Sequence, residues 1–296
     1  MADYTSDHRL QQPRIAERNG EIAMKIDKQA PIGVFDSGVG GLTVAREIMR
    51  NLPNDKIVYF GDTARVPYGT KSKATVLRYS RQIVRFLRTQ EVKAIVVACN
   101  TATALALDDI EKELDIPIVG VVRPGARVAV ETTRNKRIGV IGTEATINSH
   151  IYRTYIQNMD PEVSVFGKPC PLFVSLVEEG WIKDPITEAV ARRYLAELQE
   201  KDIDTLILGC THYPLLRSMV GRIMGEGVTL VNPAYETAQA LKRLLREQGL
   251  TSDGTEDEEF PYRFFVSDAA EKFSRFATSI LPYNVERTQQ IDIEKY

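Results

Sequence analysis

From residue 31 onward, short apolar runs alternate with longer segments of helical periodicity. The apolar runs predict strands at Ile32–Phe35, Ile57–Phe60, Ala94–Ala98, Ile116–Val122, Arg137–Ile141, Val163–Phe166, Thr205–Leu208 and Val228–Val231. The segments between them predict helices at Leu42–Asn51, Lys73–Gln90, Asp108–Leu114, Asn148–Met159, Pro185–Gln199 and Ala234–Gln248. Because strands that alternate with helices form parallel sheets covered on both faces, the pattern predicts an α/β fold.

A weak internal repeat divides the predicted elements into two halves. The segment IGVFDSG (32–38) is echoed by IGVIGTE (138–144), and AIVVACNTA (94–102) is echoed by TLILGCTHY (205–213). We therefore expect two similar flavodoxin-like domains with parallel sheets, related by a pseudo-twofold axis. Ligands of such sheets bind at the carboxyl ends of the strands, which places the active site in the interdomain cleft.

Changes in pattern indicate the domain boundaries. Residues 1–30 are polar and aperiodic, which predicts a flexible N-terminal tail. The extended segments GVVRPG and VNPA interrupt the alternation, so we place crossovers between the domains there. The first domain then comprises residues 31–122 and 233–285, the second comprises residues 123–232, and residues 286–296 form a C-terminal tail.

Composition restricts the possible functions. The net charge is -2, with no basic patch for nucleic acid and no apolar run long enough to span a membrane. The sequence shows no secretory signal, and its three cysteines are an odd, sparse set, so we expect a cytoplasmic protein with free thiols. Neither the cysteines nor the three histidines have metal-ligand spacing. No lysine motif for pyridoxal phosphate is visible either, so we expect no metal and no cofactor.

Two cysteines, Cys99 and Cys210, are the strongest candidates for chemistry. Each follows a predicted strand at an expected helix start, where free backbone N–H groups stabilise a thiolate or a substrate carboxylate. A lone cysteine in such a place usually belongs to a core, but equivalent positions in a repeat favour a function. Cys170, between two prolines, is interpreted as structural. The polar residues that follow the two candidates are Asn100, Thr101, Thr211 and His212.

Other polar residues near these motifs have several interpretations. His212 could be a general acid, a positioning donor or a core histidine. Asp36 or Ser37 could cap a helix or bind substrate, and the glycines after them lack the lysine of a phosphate-binding loop. Glu178, next to a second glutamate, is typical of a solvated surface.

Five motifs together give the chain a more specific likeness. They are IGVFDSGVGGLTV (32–44), GDTARVPYG (61–69), ACNTA (98–102), PLFVSLVEEG (171–180) and LGCTHYPLL (208–216). With these motifs the chain resembles the glutamate racemases of the aspartate/glutamate racemase superfamily over roughly residues 31–250. The resemblance implies cofactor-independent interconversion of L- and D-glutamate for peptidoglycan biosynthesis. It also implies a homodimer and a possible activation by a cell-wall precursor.

The resemblance also implies roles for individual residues. Cys99 and Cys210 would exchange protons with the substrate in a two-base mechanism, supported by Asp36 on the Cys99 side. His212 and Glu178 would support Cys210. Asp36 and His212 would also touch the substrate amino group. The other implied substrate contacts are Ser37, Tyr68, Gly69, Asn100, Thr101 and Thr211.

Several rival functions remain open on the sequence. Aspartate racemase, hydantoin racemase or an isomerase of small diacids would use similar cysteines. A protein of another class, a two-domain binding protein for small acids, would also have two α/β domains around a cleft. The two cysteines and the absence of a secretory signal favour the enzyme.

Overall fold

The strands of the protein form two parallel sheets. The computed structural model describes residues 26–254, 261–283, 285 and 287–296. The strands are β1 Ile32–Asp36, β2 Ile57–Gly61, β3 Ala94–Val97, β4 Ile118–Gly120, β5 Arg137–Gly142, β6 Ser164–Pro169, β7 Thr205–Gly209, β8 Thr229–Val231, β9 Tyr262–Val266 and β10 Gln289–Gln290. The first sheet has the order β10-β9-β2-β1-β3-β4, and the second has the order β6-β5-β7-β8.

Helices cover both sheets. They are α1 Leu42–Asn51, α2 Lys73–Thr89, α3 Asn100–Glu111, α4 Val122–Thr132, α5 Glu144–Asn148, α6 Ile151–Met159, α7 Leu172–Glu178, α8 Pro185–Gln199, α9 Arg217–Met224, α10 Pro233–Glu247 and α11 Ala270–Ile280. Short 3-10 turns lie at Tyr68–Thr70, Tyr213–Leu216 and Ile293–Lys295. None of the helices in the described part of the chain is long and apolar enough to cross a membrane.

The cores explain why the strands are uninterrupted apolar runs. In β1, Ile32 and Val34 pack with α1, α10 and α11 on one face of the first sheet, whereas Phe35 packs with α2 and α3 on the other. In β5, Ile138 packs with α4 and α6, whereas Ile141 packs with α7, α8 and α9. A parallel strand with helices on both faces must be apolar on both sides, which removes any polar alternation.

The predicted α/β fold with two related parallel sheets is confirmed. The order β2-β1-β3-β4 in the first sheet matches β6-β5-β7-β8 in the second, as the internal repeat indicates. After β8 the chain returns to the first sheet, because α10 packs with α1 and β9 pairs with β2.

Two predicted boundaries of secondary-structure elements between residues 100 and 125 are wrong. The strand predicted at Ile116–Val122 ends at Gly120, and GVVRPG enters α4 instead of forming an extended linker. Pro124 stands in the first turn of α4, where its missing N–H removes no helical hydrogen bond. The helix predicted at Asp108–Leu114 begins at Asn100. Three of the four buried residues in its first turn are polar, so the sequence shows no apolar stripe there.

Both predicted tails contain residues that pack against the protein. Residues 1–25 of the predicted N-terminal tail lie outside the described residues. The Lys28 carbonyl accepts a hydrogen bond from Lys93 Nζ at 2.5 Å, and Gln29 accepts one from Ser252 at 2.7 Å. In the predicted C-terminal tail, Ile293 is buried and residues 289–290 form β10. These contacts depend on partners far along the chain, which local patterns do not reveal.

Candidate active site

The carboxyl ends of β3 and β7 meet around one small cavity. Cys99 lies two residues beyond the end of β3, and Cys210 directly follows β7. The cavity has a volume of about 20 Å³, which is room for about one water molecule, so the cleft is closed in this structure. An amino acid can enter only when the walls move apart. The lining residues are Ser37, Val66, Pro67, Tyr68, Gly69, Cys99, Asn100, Thr101, Thr143, Val174, Cys210, Thr211 and His212.

Cys99 is the N-terminal cap of α3. Its Sγ accepts a hydrogen bond from the backbone N–H of Ala102 at 3.4 Å, and its thiol donates to Ser37 Oγ at 3.5 Å. Burial, and then the negative charge of Asp36, raise the pKa of the Cys99 thiol to about 12, although the Ala102 and Ser37 hydrogen bonds oppose the shift. The raised pKa keeps the Cys99 thiol protonated, so that it can donate.

Cys210 is paired with a buried histidine. Its Sγ lies 3.8 Å from Nδ1 of His212, whose Nε2 lies 3.1 Å from Oε1 of Glu178. Burial lowers the pKa of His212, but the contacts with Cys210 and Glu178, and the charge of Asp36, outweigh burial and raise it to about 10. A charged His212 ring donates Nδ1–H towards the sulfur and Nε2–H to the carboxylate. The three residues thus form an acid–base chain that leads to Cys210.

Asp36 connects the two halves of the molecule. Its side chain is fully buried at the end of β1 and accepts a hydrogen bond from the backbone N–H of Gly38 at 3.0 Å. It also accepts one from Thr211 Oγ1, which follows β7 of the second sheet, at 3.3 Å. Burial raises the pKa of Asp36, whereas the positive charge of His212 lowers it. Asp36 therefore acts electrostatically on Cys99 and His212 together.

Two further predicted residues, Asn100 and Thr101, are held in place by polar side chains of the second half. Asn100 Oδ1 accepts a hydrogen bond from the Tyr152 hydroxyl at 2.7 Å. Thr101 Oγ1 lies 2.9 Å from Thr143 Oγ1 and 3.3 Å from Thr146 Oγ1. The structure thus brings nine of the predicted residues to the cavity wall. The other two stand behind the wall, Asp36 against Thr211 and Glu178 against His212.

Sequence reasoning missed Thr143, Thr146 and Tyr152. Thr143 lines the cavity and caps α5 by accepting a hydrogen bond from the N–H of Thr146 at 3.2 Å. The internal repeat could have indicated Thr143 as a cavity residue. Thr143 occupies in IGVIGTE the position that Ser37 occupies in IGVFDSG. Tyr152 lies 52 residues from its partner Asn100, and no local pattern indicates that contact. Within the described ranges, no three His, Cys, Asp or Glu side chains are grouped to hold a metal ion.

Two glycines allow the halves to approach closely. A Cβ on Gly40 would lie 2.4 Å from Thr211 Oγ1 and 2.6 Å from His212 Nδ1. A Cβ on Gly69 would lie 2.6 Å from the Cβ of Thr143. Since real Cβ contacts are longer than this, glycine is required at these two points of contact between the halves.

Comparison with known proteins places this site in a family. The family model for Asp/Glu/hydantoin racemases matches residues 32–241. A glutamate racemase of Geobacter metallireducens is 49% identical over 263 residues, covering 89% of this chain and 97% of the relative. The chain therefore belongs to the Asp/Glu/hydantoin racemase family, and its curated relatives at this level of identity are glutamate racemases.

Solved structures agree with the sequence comparison. A Francisella tularensis glutamate racemase in complex with D-glutamate superposes with a TM-score of 0.84 at 40% identity, covering 91% of this chain and 100% of the other. The Escherichia coli glutamate racemase in complex with L-glutamate and the activator UDP-MurNAc-ala superposes with a TM-score of 0.74 at 28% identity. That match covers 88% of this chain and 98% of the other. The predicted glutamate racemase resemblance is confirmed.

Gly40→Ala tests the close approach at the cavity. The added methyl group must displace Thr211 and His212, so we expect kcat/KM for glutamate to fall by about 10²-fold, as for a misplaced catalytic group. Gly38→Ala is the matched control, because its Cβ would meet Val66 at an ordinary 3.4 Å. Steady-state kinetics measure kcat/KM for both variants. Equal activities for the two variants would contradict the requirement at Gly40.

Proposed function

We propose that the protein interconverts L- and D-glutamate by a two-base mechanism in which Cys99 and Cys210 exchange protons with the α-carbon. The observation that carries this proposal is that both sulfurs line one closed cavity, one at the end of each sheet. Racemisation requires a base on one face of the α-carbon and an acid on the other. Two sulfurs, one from each sheet, can supply both without any rotation of the substrate.

Each turnover moves two protons. A thiolate takes the α-proton, and the electron pair of the broken C–H bond stays on the α-carbon. The thiol on the opposite wall then gives its proton to the other face of that carbon and becomes the thiolate. The product has the inverted configuration and the two sulfurs have exchanged protonation states, so the enzyme is ready for the reverse reaction.

The two sulfurs receive different support. The charged His212 ring donates Nδ1–H towards the Cys210 sulfur and so stabilises its thiolate, while Glu178 holds the opposite nitrogen. On the other wall, Asp36 acts on Cys99 through its charge, and Ser37 is the direct hydrogen-bond partner of the Cys99 thiol. A cationic group therefore stands beside one sulfur and an anionic group beside the other.

The carbanion needs stabilisation from polar groups that are already in place. The amide of Asn100 and the hydroxyls of Ser37, Thr101, Thr143 and Thr211 line the cavity. The N-terminus of α3 adds free N–H groups and the positive end of a helix dipole. Such donors can bind the substrate carboxylates and hold the charge that develops next to the α-carbon, since little water competes in a closed site.

The relatives suggest the biological setting. We propose glutamate as the substrate, D-glutamate for peptidoglycan as the product, and the cytoplasm as the place of action. The E. coli relative carries an activator, UDP-MurNAc-ala, so an activating cell-wall precursor is also proposed here, together with a homodimer. We further propose the domain boundaries 31–122 with 233–285, and 123–232. Sheet membership supports them for β1 to β9, whereas β10 of the first sheet lies beyond residue 285.

Replacement of either cavity cysteine by alanine tests the proton-exchanging pair. Cys99→Ala and Cys210→Ala should each abolish racemisation, because each direction needs an abstractor and a donor. Cys170→Ala is the matched control, since this buried cysteine lies in the core of the second sheet and does not line the cavity. Circular dichroism of added L- or D-glutamate measures the reaction. Full activity in either cavity variant would contradict the proposal.

Asp36→Asn and His212→Asn test whether the supports belong to different sulfurs. Each change should reduce the function of one sulfur by about 10²–10⁴-fold, as for a lost acid–base partner. Equilibrium fixes the ratio of kcat/KM in the two directions, so the measurement is α-proton exchange with D2O, followed separately from each enantiomer. We expect opposite biases in the two variants. Identical exchange patterns would mean that neither support is specific to one sulfur.

A further inference from the structure

The end of the chain lies against the first sheet, on the side covered by α2. Residues 289–290 form β10 beside β9, and Ile293 is buried in the cluster between this sheet and α2. The ring of Tyr296 packs edge-on against Phe86, with 5.3 Å between the centroids. Residues 289–296, hereafter the C-terminal segment, are therefore docked on the domain that contains Cys99.

Asp62 is a fully buried acceptor directly after β2. Its Oδ1 accepts a hydrogen bond from Ser267 Oγ at 2.8 Å, and its Oδ2 accepts one from the hydroxyl of Tyr68. Arg65 Nε lies 3.0 and 2.8 Å from the two carboxylate oxygens. The backbone N–H of Asp62 donates to the carbonyl of Asp36 at 3.0 Å. The carboxylate thus ties a cavity-lining tyrosine to a cation, and the backbone of the same residue is bonded to the end of β1.

Arg65 extends this connection to the C-terminal segment. Its Nη1 donates to Glu294 Oε1 at 3.0 Å and to Gln82 Oε1 at 2.6 Å, and Gln82 Nε2 donates to Glu294 Oε2 at 3.1 Å. The guanidinium also lies 4.0 Å from the centroid of the Tyr79 ring. The Arg65 side chain is only 10% exposed, whereas that of Glu294 is 68% exposed. The exposed Glu294 carboxylate therefore holds the buried guanidinium of Arg65 in place.

The backbone between Asp62 and Thr70 carries Tyr68 and Gly69 to the cavity wall. The position of this backbone is closely restricted, because Gly69 approaches Thr143 too closely to admit a Cβ. A displacement of this backbone would change the wall that receives the substrate and would leave the elements that carry the two sulfurs in place.

We propose that Asp62, Arg65 and Glu294 are positioning residues for substrate binding, through which the C-terminal segment holds Tyr68 and Gly69 against the cavity. This inference rests on the proposed racemase function, because glutamate is the ligand whose binding it concerns. None of the three residues lines the cavity. They act through the backbone from residue 62 to residue 70.

The test separates binding from chemistry. Arg65→Met should raise KM for glutamate by about ten-fold or more, because it removes buried charge-assisted hydrogen bonds, with a smaller change in kcat. Arg65→Lys should restore part of the loss. Glu294→Ala, an exposed position that folding tolerates, should raise KM by about three-fold. Lys295→Ala, with its side chain 75% exposed, is the neighbouring control and should leave KM unchanged.

A double variant and a measurement without substrate complete the test. In the Arg65→Met chain, adding Glu294→Ala should have no further effect on KM. Amide hydrogen exchange of residues 62–70 in the free protein should be faster in both single variants than in Lys295→Ala. An unchanged KM in Arg65→Met, or an equal Glu294→Ala effect with and without Arg65, would overturn the inference. A wild-type chain that does not racemise glutamate would instead overturn the proposed function.

Discussion

Charge balance in a closed cavity governs the chemistry of this site. The two carboxyl groups of Asp36 and Glu178 flank a single histidine, His212, and all three are largely shielded from water. Burial penalises any charge without a partner, which is why the pKa of Cys99 is raised. A thiolate in this cavity therefore needs a cationic partner, and the charged His212 ring lies beside Cys210.

A pseudo-symmetric scaffold carries an asymmetric site. The corresponding strands β3 and β7 lead to Cys99 and Cys210, and the corresponding strands β1 and β5 end at Asp36 and Gly142. In the repeat, the position of His212 is that of Thr101 in the first half. The sheets therefore place two sulfurs alike, while the residues around them differ. The direct hydrogen-bond partner of Cys99 is Ser37, whereas that of Cys210 is His212.

Much of the fold could be predicted because its strands are buried on both faces. A continuous apolar run such as Ile57–Gly61 predicts a buried parallel strand. The start of α8 is predicted by Asp184, which caps the helix, and by Pro185 at its first position. The prediction failed where burial removes the contrast between faces. Asn100, Thr101, Ala102 and Thr103 are all buried in the first turn of α3 although three of them are polar, so no contrast between an apolar and a polar face indicates a helix.

The site was predictable only in its local motifs. The cysteines follow strands and repeat each other, and a resemblance supplied the other roles. Contacts between distant segments left no local signal. Arg65 and Glu294 are 229 positions apart, and the Tyr152–Asn100 hydrogen bond joins the two halves. The individual roles of the site residues and the domain boundaries stay predictions.

The direct test of two opposed sulfurs is the fate of the α-hydrogen in D2O. L-glutamate should be converted to D-glutamate that carries solvent deuterium at the α-carbon from the first turnover, while the remaining L-glutamate keeps its protium. The proton taken by one sulfur is not the one returned by the other, so the same result is expected from D-glutamate. Mass spectrometry of the separated enantiomers at low conversion measures both pools. Product that retains the substrate's own α-hydrogen would show that one base serves both faces, and would contradict the two-sulfur mechanism.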